Sequence, residues 1–191
     1  MFSLILVPLF SDAQDVNTRT RELGINLSGP TFGIRYRAGN ESTLLRLTLL
    51  SISGSTYNYK SPSNTKSKNS SQGLGFNFGF EKRKPISDDL NIYFGSDLLT
   101  SYERNIDKHD SPSQTYTSLS FSPGLGLVLG FNYKISSKIN ISAEVMPSIS
   151  YSFSKTTGDN EGTITKYTST GLNYGLRSNG INLTLSFELG K

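Results

Sequence analysis

Between Leu23 and Leu189 apolar and polar residues alternate with a period of two, the spacing of a β-strand with one face against an apolar medium. Leu23, Ile25 and Leu27 share a face, and Phe32, Ile34 and Tyr36 follow after Gly29-Pro30 shifts the phase. Beyond Gly39-Asn40-Glu41-Ser42, the pattern puts Leu45, Leu47, Leu49, Tyr57 and Tyr59 on one face. Leu74, Phe76, Phe78 and Phe80 alternate with Gly73, Gly75, Asn77 and Gly79, and Leu90, Ile92 and Phe94 lead into Gly95-Ser96-Asp97. Residues 115–133 and 139–154 predict strands well beyond the usual length of about five or six residues. Leu172, Tyr174 and Leu176 precede a last apolar series, Ile181, Leu183, Leu185, Phe187 and Leu189.

The other face of these strands is Gly, Ser, Asn and isolated charges. A soluble sandwich turns its apolar face inward and a densely charged face to water. Small uncharged residues instead suit the crowded interior of a narrow barrel whose apolar face meets lipid. Only a closed barrel lets a sheet sit in lipid, because an open edge leaves backbone groups unpaired. A soluble barrel of lipocalin type, with the stripes turned inward, is the alternative fold.

Composition points the same way. The 191 residues include 30 Ser, 17 Thr, 15 Asn and 18 Gly, but Ala stands only at positions 13, 38 and 143. A chain that avoids the best helix former and carries 10 Tyr and 11 Phe favours strands. No run of about 18 apolar residues predicts a membrane helix. The mean hydropathy of −0.33 does not speak against a membrane barrel, whose polar half is hidden inside. The absence of Cys removes disulfide scaffolds, thiolate metal sites and cysteine nucleophiles. A single His, His109, argues against a His-based metal site, and no cofactor motif is present.

The connections alternate in length. Short ones are predicted at 39–42, 82–89 and 134–138, and long polar loops at about 60–71, 103–114 and 155–165. Bacterial outer-membrane barrels have short periplasmic turns and longer outer loops. Tyr57, Tyr59, Tyr102, Tyr116, Tyr151 and Tyr167 beside the long loops, and Tyr36, Tyr93 and Tyr133 toward the short turns, are the expected aromatic belts. Turning at both Gly29-Pro30 and Asn179-Gly180 gives nine strands and at neither seven, whereas single-chain bacterial barrels have even numbers. Turning at Gly29-Pro30 keeps the long loops on one side. The expectation is therefore an all-β, eight-stranded antiparallel transmembrane up-and-down barrel over 22–191, with Ser178-Asn179-Gly180 a bulge in a long last strand. Turning at Asn179-Gly180 instead also gives eight but inverts the loop lengths.

The segments FGIRYRAGNESTLLRLTLL, GFEKRKPISDDLNIYFGSDL, GLGLVLGFNYKISSKINISAE and INLTLSFELGK resemble small outer-membrane β-barrel proteins of Bacteroidetes type. The resemblance covers about residues 20–191 and rests on patterns. It departs from the usual terminal Phe, because Phe187 is followed by Glu188-Leu189-Gly190-Lys191. It implies an outer-membrane location, lipid and lipopolysaccharide as surroundings, the barrel-assembly machinery as partner during insertion, and a monomer. Phe2 to Phe10, followed by Ser11-Asp12-Ala13, reads as the apolar core and cleavage site of an export signal over 1–13, without its basic start. Residues 14–21 are then a short N-terminal segment.

Few ionisable residues fall on the polar face: Arg46, Asp97, Glu144 and Glu188, with Arg35, Arg37 and Arg177 nearer the turns. Buried charges must pair. Arg46 and Glu144, at similar depth, are expected in one internal salt-bridge network with Asp97 or Glu188. Such a network is either a plug that holds register or a gated ion path, and an interior just filled by side chains favours the plug. Lys60, Lys66 and Lys68 are candidate contacts for lipopolysaccharide phosphates. His109, Asp110 and Ser111 are adjacent in sequence and do not form a triad, which needs a base aligned with a nucleophile and a fixed third group. Scattered basic residues and aromatics on the apolar face argue against nucleic-acid binding, despite a pI near 9.2. The expected role is structural or surface-interacting without catalysis. A narrow porin-like channel for water or small ions and a lipid-modifying enzyme are the alternatives.

Overall fold

The computed structural model describes residues 19–28, 31–60, 66–110, 113–176 and 181–189. The expected export signal, Gly29-Pro30, Arg177, Ser111 and Ser178-Asn179-Gly180 lie outside these residues. The strands are β1 (Thr20–Ser28), β2 (Thr31–Gly39), β3 (Thr43–Lys60), β4 (Lys66–Pro85), β5 (Leu90–Asp110), β6 (Ser113–Lys134), β7 (Ile139–Val145), β8 (Ser148–Asn160), β9 (Thr163–Gly175) and β10 (Ile181–Glu188).

Neighbouring strands pair antiparallel around a complete ring, and the ring closes where β1 meets β10, with Leu23 opposite Phe187 and Leu27 opposite Leu183. Ten segments make eight walls. β7 and β8 both pair with β6 in one unbroken register, from Lys134↔Asn140 to Gln114↔Asn160, and form one strand interrupted at Met146-Pro147. The Leu127 amide bridges the break by donating to the Pro147 carbonyl at 2.9 Å. β9 and β10 run in the same direction along β8 and β7, so the chain does not reverse between them. It does reverse between Ser28 and Thr31, which face each other across the β1–β2 hairpin. The molecule is an eight-stranded antiparallel up-and-down barrel.

The apolar stripes point outward. Phe76 is 42% exposed, Leu127 64% and Leu185 41%, while inward neighbours such as Arg46, Ser142 and Thr184 are buried. This inverts the arrangement of a soluble barrel and removes the lipocalin-type alternative. Outward faces of Leu74 to Phe80 on β4 and Leu119 to Tyr133 on β6 form an apolar band on the wall of the closed ring. Only hydrocarbon accommodates such a band. The barrel therefore spans a membrane.

Three expectations are corrected. First, the segments expected as long loops are mostly strand. β4 begins at Lys66, β5 and β6 pair as far as Asp110↔Ser113, and β8 and β9 as far as Asn160↔Thr163. Thr, Ser and Tyr favour pleated backbone, and cross-strand pairing satisfies their amides even where both faces meet water. Second, Tyr57 and Tyr59 do not share the face of Leu45, Leu47 and Leu49. An extra residue in β3 between Thr48 and Ser51 shifts its register with both neighbours and flips every later side chain. Third, the belts are incomplete. Tyr102, Tyr133 and Tyr151 lie on the outer face. Tyr93 is buried in the lumen, and the pairings Tyr57↔Asn69 and Thr156↔Tyr167 put Tyr57, Tyr59 and Tyr167 on the inner face together with Tyr116.

The two ends differ. Lower turns at 40–42, 86–89 and 135–138 are tight, and Asn40 Oδ1 accepts from the Thr43 amide at 2.6 Å to hold the first. At the upper end the β1–β2 hairpin stops at Ser28 and Thr31, while β3 to β6, β8 and β9 continue as a taller sheet. Among the described residues, β3 beyond Ile52 pairs only with β4, and β9 pairs only with β8. A charge placed in the apolar band should be costly in proportion to its depth. Leu127→Arg is expected to lower folding stability in lipid vesicles by about 2–4 kcal/mol, and Thr117→Arg, above the band, by at most about 1 kcal/mol. Urea titration of the vesicle-inserted barrel measures both, and equal costs would refute the assigned band.

Candidate functional site

The lower lumen holds a closed set of charges. Alternation turns Glu22 inward from β1, Arg35 and Arg37 from β2, Arg46 from β3, Glu81 and Arg83 from β4, Asp97 from β5 and Glu144 from β7. Arg46 is the hub, with Glu144 Oε1 at 2.8 Å, Asp97 Oδ1 at 3.1 Å and Glu81 Oε2 at 3.2 Å. Arg35 reaches the same Glu144 oxygen at 2.9 Å and donates to Thr48 Oγ1 and Thr184 Oγ1, both at 3.1 Å. Arg37 lies 3.1 Å from Glu22 Oε2 and 3.3 Å from Glu81 Oε2, and donates to Ser142 Oγ at 3.2 Å. Arg83 straps the lower rim, 2.6 Å from Glu22 Oε1 and 2.8 Å from Glu81 Oε1. Four guanidinium groups thus face four carboxylates with no net charge.

Neutral donors complete the set. The Tyr93 hydroxyl donates to Glu144 Oε2 at 2.9 Å, and Asn182 Nδ2 to Oε1 at 3.1 Å. Arg37 also stacks 5.7 Å from the centre of the Tyr93 ring. Inward glycines make the room. A Cβ on Gly130 would stand 2.6 Å from the Tyr93 ring carbon that carries the hydroxyl, and one on Gly79 would collide with Asp97. Above the charges Val128 and Met146 are buried, with Leu99 packed against them, an apolar layer inside the lumen. Asp97 is the least satisfied member. It sits beside Arg46 Nε at ion-pair distance, but the N–H is not aimed at it, so neither Asp97 oxygen accepts a hydrogen bond among the described residues.

Arg46, Asp97 and Glu144, named from sequence, come together with Arg35 and Arg37. Glu188 does not join them. It sits half-buried near the lower rim opposite Glu22, with no ion pair among the described residues. The arginines are taken up by carboxylates deeper in the lumen, so none is left for it. Glu22, Glu81, Arg83 and Tyr93 were not anticipated. The period-two signal did contain them: Glu22 precedes Leu23, and Glu81 and Arg83 flank Phe80 and Lys82. The charge-rich run EKRKP, however, reads as a turn, and a tyrosine near a turn reads as a belt residue.

Lys60 and Lys66 face each other in register near the β3–β4 tip, though their side chains lie outside the described residues, and Lys68 is exposed beside Lys108 on β5. His109 is exposed opposite Gln114, and the Asp110 side chain lies outside the described residues. No group of three or more His, Asp or Glu side chains among the described residues is arranged to hold a metal ion.

Neither a protein-family model nor a curated protein matches the chain. Among solved structures it is similar to a major outer membrane protein from Thermus thermophilus, at 10% identity and a TM-score of 0.52, covering 91% of this chain and 100% of that one. The fold is that of a bacterial outer-membrane β-barrel. Weaker likenesses are to CarO of Acinetobacter baumannii (10% identity, TM-score 0.38, 88% and 96% of the chains) and Neisserial surface protein A (16%, 0.33, 90% and 94%).

Removing one member of the cluster leaves a buried charge unmatched. Arg35→Met and Glu144→Gln are each expected to cost about 3–5 kcal/mol. The double variant should cost less than the sum of the two, with a coupling of about 0.5–3 kcal/mol. Strict additivity in a vesicle unfolding cycle would refute the pairing.

Proposed function

We propose that the protein is an integral barrel of the outer membrane that displays a rigid β-sheet at the cell surface and neither conducts nor catalyses. The observation that carries this reading is the filled lumen. A neutral layer of interlocked arginines and carboxylates lies beneath Val128, Met146 and Leu99, and both occupy the space a water path needs. Eight strands leave an interior just wide enough for side chains. Ion pairs also make this filling directional, because each arginine reaches a strand that is not its neighbour, and Arg46 of β3 grips Glu144 of β7 across the lumen. The network then acts as a cross-brace that holds the walls in register.

The upper sheet supports the second half of the reading. Six strands continue past the apolar band, and water on both faces there accounts for polar residues on both. The tight turns, the start of β1 and the end of β10 lie on the opposite side, the arrangement of a barrel whose tall side faces outward. Closure within one chain supports a monomer. One observation favours the narrow-path alternative: among the described residues the Asp97 oxygens accept no hydrogen bond in the lumen.

Planar-bilayer recording separates the two. The proposed reading expects no unitary conductance steps from the purified barrel. Steps that disappear in Arg46→Ala or Glu144→Ala would replace it with transport through the lumen.

A further inference from the structure

In the lower lumen every carboxylate of the cluster lies within ion-pair distance of a guanidinium group. Higher on the same inner side, where β3 to β6, β8 and β9 rise as the projecting sheet, that matching stops. The acids there are Glu103 and Asp107, both on β5. Glu103 accepts from Ser71 Oγ at 3.2 Å and Asn105 Nδ2 at 3.1 Å, and Asp107 accepts from Asn69 Nδ2. Neutral donors thus orient both carboxylates, and neither has an ion pair among the described residues. One imidazole, His109, shares this face, and among the described residues no Lys or Arg does. The outer side differs, because Arg104, Lys108, Lys155 and Asp159 mix both signs there.

Aromatic rings flank the acids. One row across the strands runs Tyr57, Asn69, Asp107, Tyr116, Gly158, so a tyrosine stands to either side of Asp107. A Cβ on Gly158 would be 2.8 Å from the Tyr116 ring, so the glycine gives that ring room to lean over it. Tyr57, Tyr59 and Tyr167 are 69%, 64% and 53% exposed. A concave wall lined by one sign of charge concentrates the opposite charge. Ring faces add cation–π attraction. Both favour a cation from outside the chain.

The spacing narrows its form. Glu103 and Asp107 stand four residues apart on one face, about 13 Å along the strand. A single metal ion cannot touch both. An extended peptide rises per residue as β5 does, and its residues i and i+4 share a face. Basic side chains at those two positions reach both acids at once, and the rest of the segment meets the rings to either side. A linear polyamine would cover only the line between the acids.

We propose that this inner face is a docking trough for a basic peptide segment of another protein, laid extended along β5 with one Lys or Arg at Glu103 and another at Asp107 beside Tyr116. The proposal rests on the display role given above and names the chemistry of what the displayed sheet receives.

Fluorescence anisotropy of the full barrel in lipid nanodiscs tests it. The probes are end-blocked Ser/Thr peptides carrying Lys at i and i+4, Lys at i and i+3, a single Lys, or Gln in place of Lys. An exposed ion pair is worth up to about fivefold in affinity, so the i, i+4 peptide should bind up to about fivefold more tightly than the i, i+3 or single-Lys peptide and up to about 25-fold more tightly than the Gln peptide. Glu103→Gln should remove the advantage of the i, i+4 peptide over the single-Lys peptide. Asp107→Asn should weaken binding, whereas Asp159→Asn, which removes the same charge from the outer side, should leave it unchanged. Tyr116→Leu should weaken binding by about two- to fivefold, and Tyr116→Phe should not. Equal weakening by Asp107→Asn and Asp159→Asn, a Gln peptide that binds as tightly as the i, i+4 peptide, or full displacement by equimolar spermidine overturns the proposal. Conductance steps from the same preparation would overturn the sealed-barrel reading alone, because the trough lies above the filling. A silent trace without peptide binding would overturn the trough alone. Heat-dependent gel mobility of each variant establishes that it has folded.

Discussion

A backbone amide or carbonyl left unpaired in hydrocarbon costs several kcal/mol, and no water is present to relieve it. That penalty requires β1 to find β10, more than 150 residues away, and every other feature of the barrel follows from the closure. A sheet of eight strands closed on itself has a narrow bore. Side chains inside must be small or interlocked, and any charge among them must be neutralised within the bore. Gly79 and Gly130 supply the first condition, yielding space to Asp97 and to the Tyr93 ring. The four arginines and four carboxylates supply the second.

The same penalty lapses outside the membrane. Among the described residues β3 beyond Ile52 and β9 pair on one side only, and toward their polar upper ends water can satisfy the other edge. The β1–β2 hairpin can stop low while its neighbours rise. The bulge in β3 works at this transition. Below it, Leu45, Leu47 and Leu49 face lipid; above it, Gly54, Thr56 and Asn58 take the outer face, and Tyr57 and Tyr59 turn inward. One added residue thus ends the greasy stripe of that strand without ending the strand.

A buried ion cluster contributes less to net stability than its contacts suggest, because desolvation offsets much of the attraction. Its effect here lies in specificity. A slip of one residue in any wall that carries a member of the cluster would turn a guanidinium or carboxylate to the lipid and an apolar side chain into the bore. The hub at Arg46 joins β3, β4, β5 and β7, so it couples register around the ring as well as between adjacent strands.

Strand periodicity, the outward apolar face, the reversal between β1 and β2 and the pairing of Arg46 with Glu144 were all legible in the chain, because alternation is local and a narrow bore leaves buried charges one way to be satisfied. What the chain did not disclose depends on which strands stand side by side. The loops expected at 60–71, 103–114 and 155–165 became strand because a neighbour was there to accept their hydrogen bonds. Glu188 stayed outside the cluster while Glu22, Glu81 and Arg83 entered it, because the stagger between strands sets depth in the lumen, and stagger is a property of the closed ring. The facing of Tyr57 and Tyr93, and the opposition of Lys68 to Lys108, were decided in the same way. A residue's side of the sheet follows from its own neighbours in sequence, but its height and its partners exist only once the ring has closed.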